Sequence, residues 1–253
     1  MKTKKMKTKM NQMGGMKLLA QGTHGKIYEV GDKVMKQFQN RTKCDEMGYE
    51  FEMQQDIHGL LERRSMIKVP ESSHFKVEGD MCQYMMDRIY PVDKHLWFVD
   101  MTFPRGERSG QTTTSKQLGY MDAAREVGVT PNELAMIIGE LFSALHFVLQ
   151  VDGYDCELII GKGGLYWIDF DKVTKFDFST TQTLRRKVAE DLYEEKVITS
   201  MAKLARFLFT SFISMSLLPV EPLMKSYFLM GYKKYARPEL IPDITAMIDD
   251  YSA

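Results

Sequence analysis

Along residues 17–38, "KLLAQGTHGKIYEVGDKVMKQF", short apolar-polar runs are broken at Gly22 to Gly25 and again at Gly31-Asp32. The pattern predicts two strands around a Gly-bearing turn and then a third strand, the start of a small antiparallel sheet. From Asp45 to about Arg64 the period lengthens. Met53, Ile57, Leu60 and Leu61 fall at helical spacing, and Glu50 lies on their face three residues before Met53. The segments "HFKVEG" and "CQYMMDRIY", parted by Gly79-Asp80, predict another hairpin. Pro91 and Pro104 then bracket an irregular stretch rich in Gly, Ser and Thr that runs to about 115.

Beyond it "TPNELAMIIGELFSALHFVLQ" carries a complete helix start: Thr130 as N-cap, Pro131 in the first turn and Glu133 to close a capping box. Its apolar stripe runs through 134, 137, 138, 141, 145 and 148. The apolar window "FLFTSFISMSLLPV", 207–220, is too short to span a bilayer and predicts a buried helix ending before Pro219. From about 183 onward the pattern predicts helices. The expected organisation is α+β: an arm over 1–15, a strand-rich lobe with one helix over 16–90, a linker or lid over 91–128, and a mainly helical lobe over 129–253.

Charge changes this picture little. Basic and acidic residues number 34 each, so the chain as a whole gives no reason to expect a nucleic-acid or membrane partner. The Lys-rich start "MKTKKMKTKMNQMGGMK" has no apolar stretch after it that would make a signal peptide. Three cysteines, Cys44, Cys82 and Cys156, without a C-x-x-C pair or a His at ligand spacing, argue against a disulfide framework or zinc site. They point instead to a reducing, cytoplasmic location.

The local charge is in "VDGYDCELIIGKGGLYWIDFDKV", residues 151–173. There Asp152, Asp155, Glu157, Asp169 and Asp171 flank two strand-like runs joined across Lys162-Gly163-Gly164. Turn chemistry alone explains Asp152-Gly153 and Asp155. It does not explain the spacing 152, 157, 169. In the N-terminal part, "AQGTHG" gives A-x-G-x-x-G over Gly22 and Gly25, followed by Ile27, and Lys36 lies on the third strand. A Gly-x-x-Gly by itself requires no more than a hairpin turn.

Taken together, these parts resemble the protein-kinase-like superfamily: a Gly-rich loop, a strand lysine, an Asp five residues before a metal-binding position, and an Asp-Phe motif closing the next hairpin. The chain is closer to aminoglycoside- and choline-type phosphotransferases than to protein kinases, since no Ala-Pro-Glu motif follows Asp169. It is closer still to a fungal kinase-like family of unknown function, often given zinc-finger names, through "ALHFVLQVDGYDCELIIG" and the Trp167 to Asp169 hairpin.

The resemblance implies a bilobal fold using ATP and Mg²⁺. Asp152 would orient an acceptor hydroxyl, and Glu157 and Asp169 would hold Mg²⁺. Gly22, Gly25, Ile27 and Lys36 would cradle the nucleotide, Glu50 (preferred to Glu52) would pair with Lys36, and Met86 in "YMMDRI" would lie in the hinge. The acceptor would be a small molecule or an atypical protein hydroxyl. The alternative is a pseudokinase that binds nucleotide or scaffolds without turnover, and a third reading has nucleotidyl transfer. Departures are Ala20 for the first Gly, Glu157 for Asn, Asp171 for Gly, and His146 six residues before Asp152. On the active reading, Asp169→Asn weakens nucleotide binding, whereas Asp152→Asn spares binding and abolishes turnover.

Overall fold

The computed structural model describes residues 16–22, 25–62, 65–93, 96–109, 115–179, 181–189 and 192–252. The basic arm 1–15, the tip of the first Gly-bearing turn at Thr23 and His24, and residues 110–114 of the expected linker lie outside the described residues. The fold is mixed α+β and divides into two units. One comprises residues up to Met47 with Ser72–Arg88; the other comprises Gly48–Glu71 with Ile89–Ala253.

The first unit is an antiparallel sheet. Strands β1 (Lys17–Gly22), β2 (Gly25–Val30), β3 (Lys33–Gln39), β5 (Ser72–Glu78) and β6 (Met81–Asp87) are arranged in the order β1-β2-β3-β6-β5. The expected three strands and the second hairpin are all present, turning at Gly31-Asp32 and Gly79-Asp80. Positive φ at Gly31 and Gly79 suits residues without a Cβ.

Helix α1 (Cys44–Leu61) follows, and the division falls within it. Met53, Ile57 and Leu61, at the expected spacing, are buried in the core that also holds Trp97 and Leu134, so most of α1 belongs to the second unit, not to the sheet unit. Gln54 Nε2 donates to the Pro70 carbonyl at 2.7 Å, and His58 Nδ1 lies 2.8 Å from the Val69 carbonyl, which fixes the helix against the chain that follows it.

In the second unit a six-stranded sheet runs β4-β11-β10-β7-β9-β8. Its strands are β4 (Ile67–Lys68), β7 (Leu96–Asp100), β8 (Glu107–Ser109), β9 (Ser115–Gly119), β10 (Glu157–Gly161) and β11 (Gly164–Ile168). Residues 91–128 are therefore no irregular linker. They contribute three strands of this sheet and α2 (Tyr120–Val127), which ends at Gly128 in the left-handed region. Gly and Ser here serve turns between very short strands, which periodicity reads as loop.

Helix α3 (Pro131–Ala144) begins with the full capping box at Thr130 and Glu133 and continues as a π-turn over Leu145–Leu149. Residues 131–149 are long and apolar enough to cross a membrane, but 56% of that window is buried inside the protein, as in a core helix. Helices α4 (Met201–Ser214), α5 (Pro222–Tyr232) and α6 (Ile241–Asp250) complete the unit. α3 and α5 approach through glycine: a Cβ on Gly139 would lie 2.1 Å from the Phe228 carbonyl oxygen, and one on Gly231 would lie 2.0 Å from that of Met136.

Between the sheet and α4 the prediction of helix from about 183 fails. Residues 182–198 form a two-stranded hairpin, β12 (Gln182–Ala189) and β13 (Leu192–Ile198). Arg, Lys and Glu in this stretch favour helix. Burial of Leu184, Arg186 and Ile198 on one face of the hairpin overrides that preference.

The cysteine expectation is also corrected. Cys44 and Cys82, both buried, form a disulfide with a Cα–Cα separation of 5.5 Å, while Cys156 is a buried free thiol. The pairing is set by the sheet, which brings β6 beside the start of α1, and no spacing rule carries that information. With a sequence separation of 38, closing this loop stabilises the fold by about 4 kcal/mol. Cys82→Ser, or reductant on the parent, is expected to lower the urea midpoint accordingly. An unchanged midpoint together with three titratable thiols in the non-reduced, unfolded chain would overturn the bond.

Candidate functional site

In the first unit, strand register decides which residues share a face. Ile27, Lys36 and Tyr84 lie directly opposite one another across β2, β3 and β6. Met86 is opposite Val34, two positions along, and therefore on the same face. Sequence-predicted Ile27, Lys36 and Met86 are thus brought together, and Lys36 is only 7% exposed. Gly22 pairs with Gly25 to close the β1–β2 hairpin. Gly25 has φ 109°, and a Cβ there would sit 2.6 Å from the Gln37 carbonyl oxygen, so glycine is required by the sheet whatever it binds. A shallow depression lined by Gln21, Gly25, Lys26, Gln37, Phe38 and Gln39 includes neither Ile27 nor Lys36 and gathers no convergent acid-base groups.

Glu50 is buried and Glu52 exposed, the distinction drawn from the helical stripe.

In the second unit the carboxylates are set by the β10–β11 hairpin. Glu157 opens β10 opposite Ile168, so Asp169 comes one residue beyond Glu157's partner and the two stand at the same end of the hairpin. Asp155 and Asp169 both have φ in the left-handed region, 61° and 68°. Lys172 Nζ forms an ion pair with Asp155. Burial pulls the Lys172 ammonium down, but the hydrogen bond and charge of Asp155, with Asp171 and Asp169, outweigh it and hold its pKa above the ordinary lysine value. Among the described residues no group of three or more His, Cys, Asp or Glu side chains is placed to hold a metal ion. Two carboxylates still suit Mg²⁺, which commonly takes one or two from protein and the rest of its shell from phosphate and water.

Asp152 differs sharply from the accessible carboxylate expected of an acceptor-orienting residue. It is completely buried. Its Oδ1 accepts from the backbone N–H of Tyr154 at 3.0 Å and of Thr174 at 2.9 Å. Its Oδ2 accepts from Arg186 Nε at 3.0 Å and Nη2 at 2.5 Å. Arg186, 2% exposed, is held in turn by Thr210 Oγ1 at 2.8 Å and lies between the rings of Tyr154 and Phe207, 4.0 and 4.1 Å from their centroids. Burial pushes the Asp152 carboxyl up, against the pull of Arg186 and of the Thr174 and Tyr154 amides. Both oxygens are thus committed within the protein, in place of the acceptor-facing role expected.

His146 is a core residue, as its position at the helix end implied. Burial drives its pKa down to about 3, so the ring is neutral. One ring nitrogen lies 2.7 Å from Tyr232 Oη and the other 3.2 Å from the Asp152 carbonyl oxygen. Because a carbonyl only accepts, Nε2 carries the proton and Nδ1 accepts from Tyr232. Trp167 is likewise core, fully buried and edge-on to Phe142.

Arg186, Thr174 and Lys172 were missed from sequence. The alternation Leu184, Arg186 in β12 is the one signal that places Arg186 on a buried face. Cys156, pushed well up by burial and by neighbouring Asp169, Asp152 and Asp171, is a thiol without nucleophilic character. The chain matches no protein-family model and no curated protein.

Replacing Asp152 with Asn removes one charge of a buried pair and leaves Arg186 uncompensated. It should lower unfolding free energy by about 3–5 kcal/mol in urea titrations. A variant as stable as the parent would restore the acceptor-facing role.

Glu157 is pushed up to about 7 by burial first and by Asp155 next, with Asp171 adding and Lys172 opposing. Its folded-state pKa exceeds the unfolded value near 4.5, so its contribution is complete below that pH and is lost as pH rises to about 7. The loss is about 3 kcal/mol. Glu157→Gln should flatten the decline in stability between these pH values, and an unaltered slope would assign it to another group.

Proposed function

We propose that this chain is a protein-kinase-like, nucleotide-binding protein whose phosphoryl-transfer step is held off, a binding or scaffolding module of the pseudokinase kind. The observation that carries this reading is the commitment of Asp152 to Arg186, Tyr154 and Thr174 in a fully buried position. An acceptor hydroxyl needs an exposed carboxylate within hydrogen-bond reach. The rest of the reading rests on element order: an antiparallel sheet with Lys36, Ile27 and Met86 on one face, then a helical region whose β10–β11 hairpin presents Glu157 and Asp169. In it ATP is the ligand, Gly22, Gly25, Ile27, Lys36 and Met86 contact the nucleotide, Glu50 supports Lys36, and Glu157 and Asp169 hold Mg²⁺. Relatives in kind are the aminoglycoside- and choline-type phosphotransferases and the fungal kinase-like family. The Cys44–Cys82 bond weighs for an oxidising location over the cytoplasmic one.

A second reading, an active phosphotransferase on a small-molecule or atypical protein hydroxyl, is favoured by Glu157, whose carboxyl is pushed up by burial and Asp155 to about 7, where a general base is most effective.

One experiment separates the two. Thermal denaturation with ATP and MgCl₂ is run beside Asp169→Asn, and ATP turnover is assayed on the same samples. The held-off module gives a metal-dependent stabilisation that Asp169→Asn loses, with no turnover; saturation at a hundredfold excess over Kd is worth about 2.7 kcal/mol. Turnover abolished by Glu157→Gln would establish the enzyme instead. No stabilisation in either protein would overturn nucleotide binding.

A further inference from the structure

We propose that the outer edge of β13 is a self-complementary interface through which two copies of this chain pair antiparallel. The hairpin β12–β13 is a sheet of its own: in the described residues β13 pairs with β12 alone. Its two strands are buried unequally. β12 places Leu184, Arg186 and Lys187 in the interior, whereas Tyr193, Glu195, Lys196 and Val197 of β13 are all exposed and Glu194 is half-exposed. Glu194 is partly covered on the face it shares with Arg186, and along Tyr193, Glu195, Lys196 and Val197 the strand is open to solvent. Its outer row of backbone N–H and C=O groups is the template that an edge strand offers to another strand.

The sequence of β13 states which strand fits. Let two copies meet about a two-fold axis through Glu195, perpendicular to the sheet. Each Glu194 then lies opposite Lys196 of the other copy, and each Tyr193 lies opposite Val197. That gives two opposite-charge pairs and two aromatic to β-branched pairs, the cross-strand combinations that stabilise antiparallel strands. Glu195 meets its own counterpart at the axis, and each of these carboxylates already has a cation, Arg185 on β12, at 3.3 Å. Shifting the axis to Glu194 or Lys196 also leaves a like-charge pair at the axis and loses both the Glu194 to Lys196 and the Tyr193 to Val197 matches. Within one copy Lys196 and Glu194 form an exposed pair at 2.5 Å, so they exchange an intrachain partner for an interchain one at little cost. Tyr193 and Val197, 54% and 55% exposed, are large apolar side chains that water otherwise surrounds. A two-fold contact of this kind is closed and yields a dimer, not a fibre.

The test is sedimentation equilibrium of the full chain over a range of loadings, with three variants. Glu194→Lys sets Lys opposite Lys twice, and Lys196→Glu sets Glu opposite Glu twice. Each should weaken self-association about tenfold, two attractive pairs having become two repulsive ones. The double exchange, Glu194→Lys with Lys196→Glu, keeps complementarity and should restore the parent's association. A parent that remains monomeric at every loading overturns the proposal and leaves the edge to a strand of another protein. So does a parent dimer that both single variants preserve. Circular dichroism of each variant confirms that these exposed substitutions leave the fold in place.

Discussion

Much of the second unit is organised around one buried ion pair, Asp152 with Arg186. Taking two charges out of water is costly, and attraction between them offsets the cost only when the remaining lone pairs and protons are also satisfied. Here they are. Asp152 receives four hydrogen bonds, two from Arg186 and two from backbone amides. Arg186 adds Thr210 and two aromatic faces. The pair ties together three segments distant in sequence: the turn after the π-helical end of α3, the strand-like stretch at Thr174, and the β12 strand over α4. An isolated two-stranded hairpin is marginal in water. Arg186 supplies the anchor that hydrophobic burial of Leu184 and Ile198 alone would leave incomplete.

The same loop is fixed from its other side. His146, on the π-turn, bonds the Asp152 carbonyl and Tyr232 of α5, and its ring packs in a cluster with Phe142, Phe212 and Tyr232. The close α3–α5 approach through Gly139 and Gly231 brings Tyr232 within reach of His146. A backbone requirement at two glycines is thus translated into the position of a carboxylate in the loop. Because His146 is neutral, it orients the loop without adding charge beside Arg186.

What the sequence made legible follows from how local each signal is. The β1–β3 run, the β5–β6 and β10–β11 hairpins and the Thr130 cap depend on neighbours a few residues away, and all are present. The disulfide and the burial of Asp152 depend on partners from 22 to 38 positions off, at Thr174, Arg186 and Cys82, and the β12–β13 hairpin, local in its pairing, depends on the burial of Arg186 against Asp152. For the site, spacing set Glu157 and Asp169 about one hairpin, and strand register, which spacing does not carry, brings Ile27, Lys36 and Met86 to one face; nor could spacing distinguish an exposed carboxylate from a buried one. At Asp152 the residue type is the same in either case, and only Arg186, hidden in a stretch with helix-favouring composition, decides between them.

The departures from low-energy design concentrate in one short span. Among the described residues five non-glycine positions have positive φ, and three of them, Gln150, Asp155 and Asp169, lie within 20 residues of one another. The same span holds the buried Asp152, the Glu157 carboxyl driven to about 7, and Asp171 beside them. Each is unfavourable alone: glycine would relieve the positive φ at Gln150, Asp155 and Asp169, whereas Asp152 cannot be replaced by itself without leaving Arg186 uncompensated. Strain and unfavourable charge persist where the surrounding structure is built to hold them, and they gather at sites of function. Lys172 and Arg186 offset part of this charge from opposite ends of the span. Lys172 does so through its ion pair with Asp155 and Arg186 through the buried pair with Asp152, so the span is held together by the same charges that make it costly.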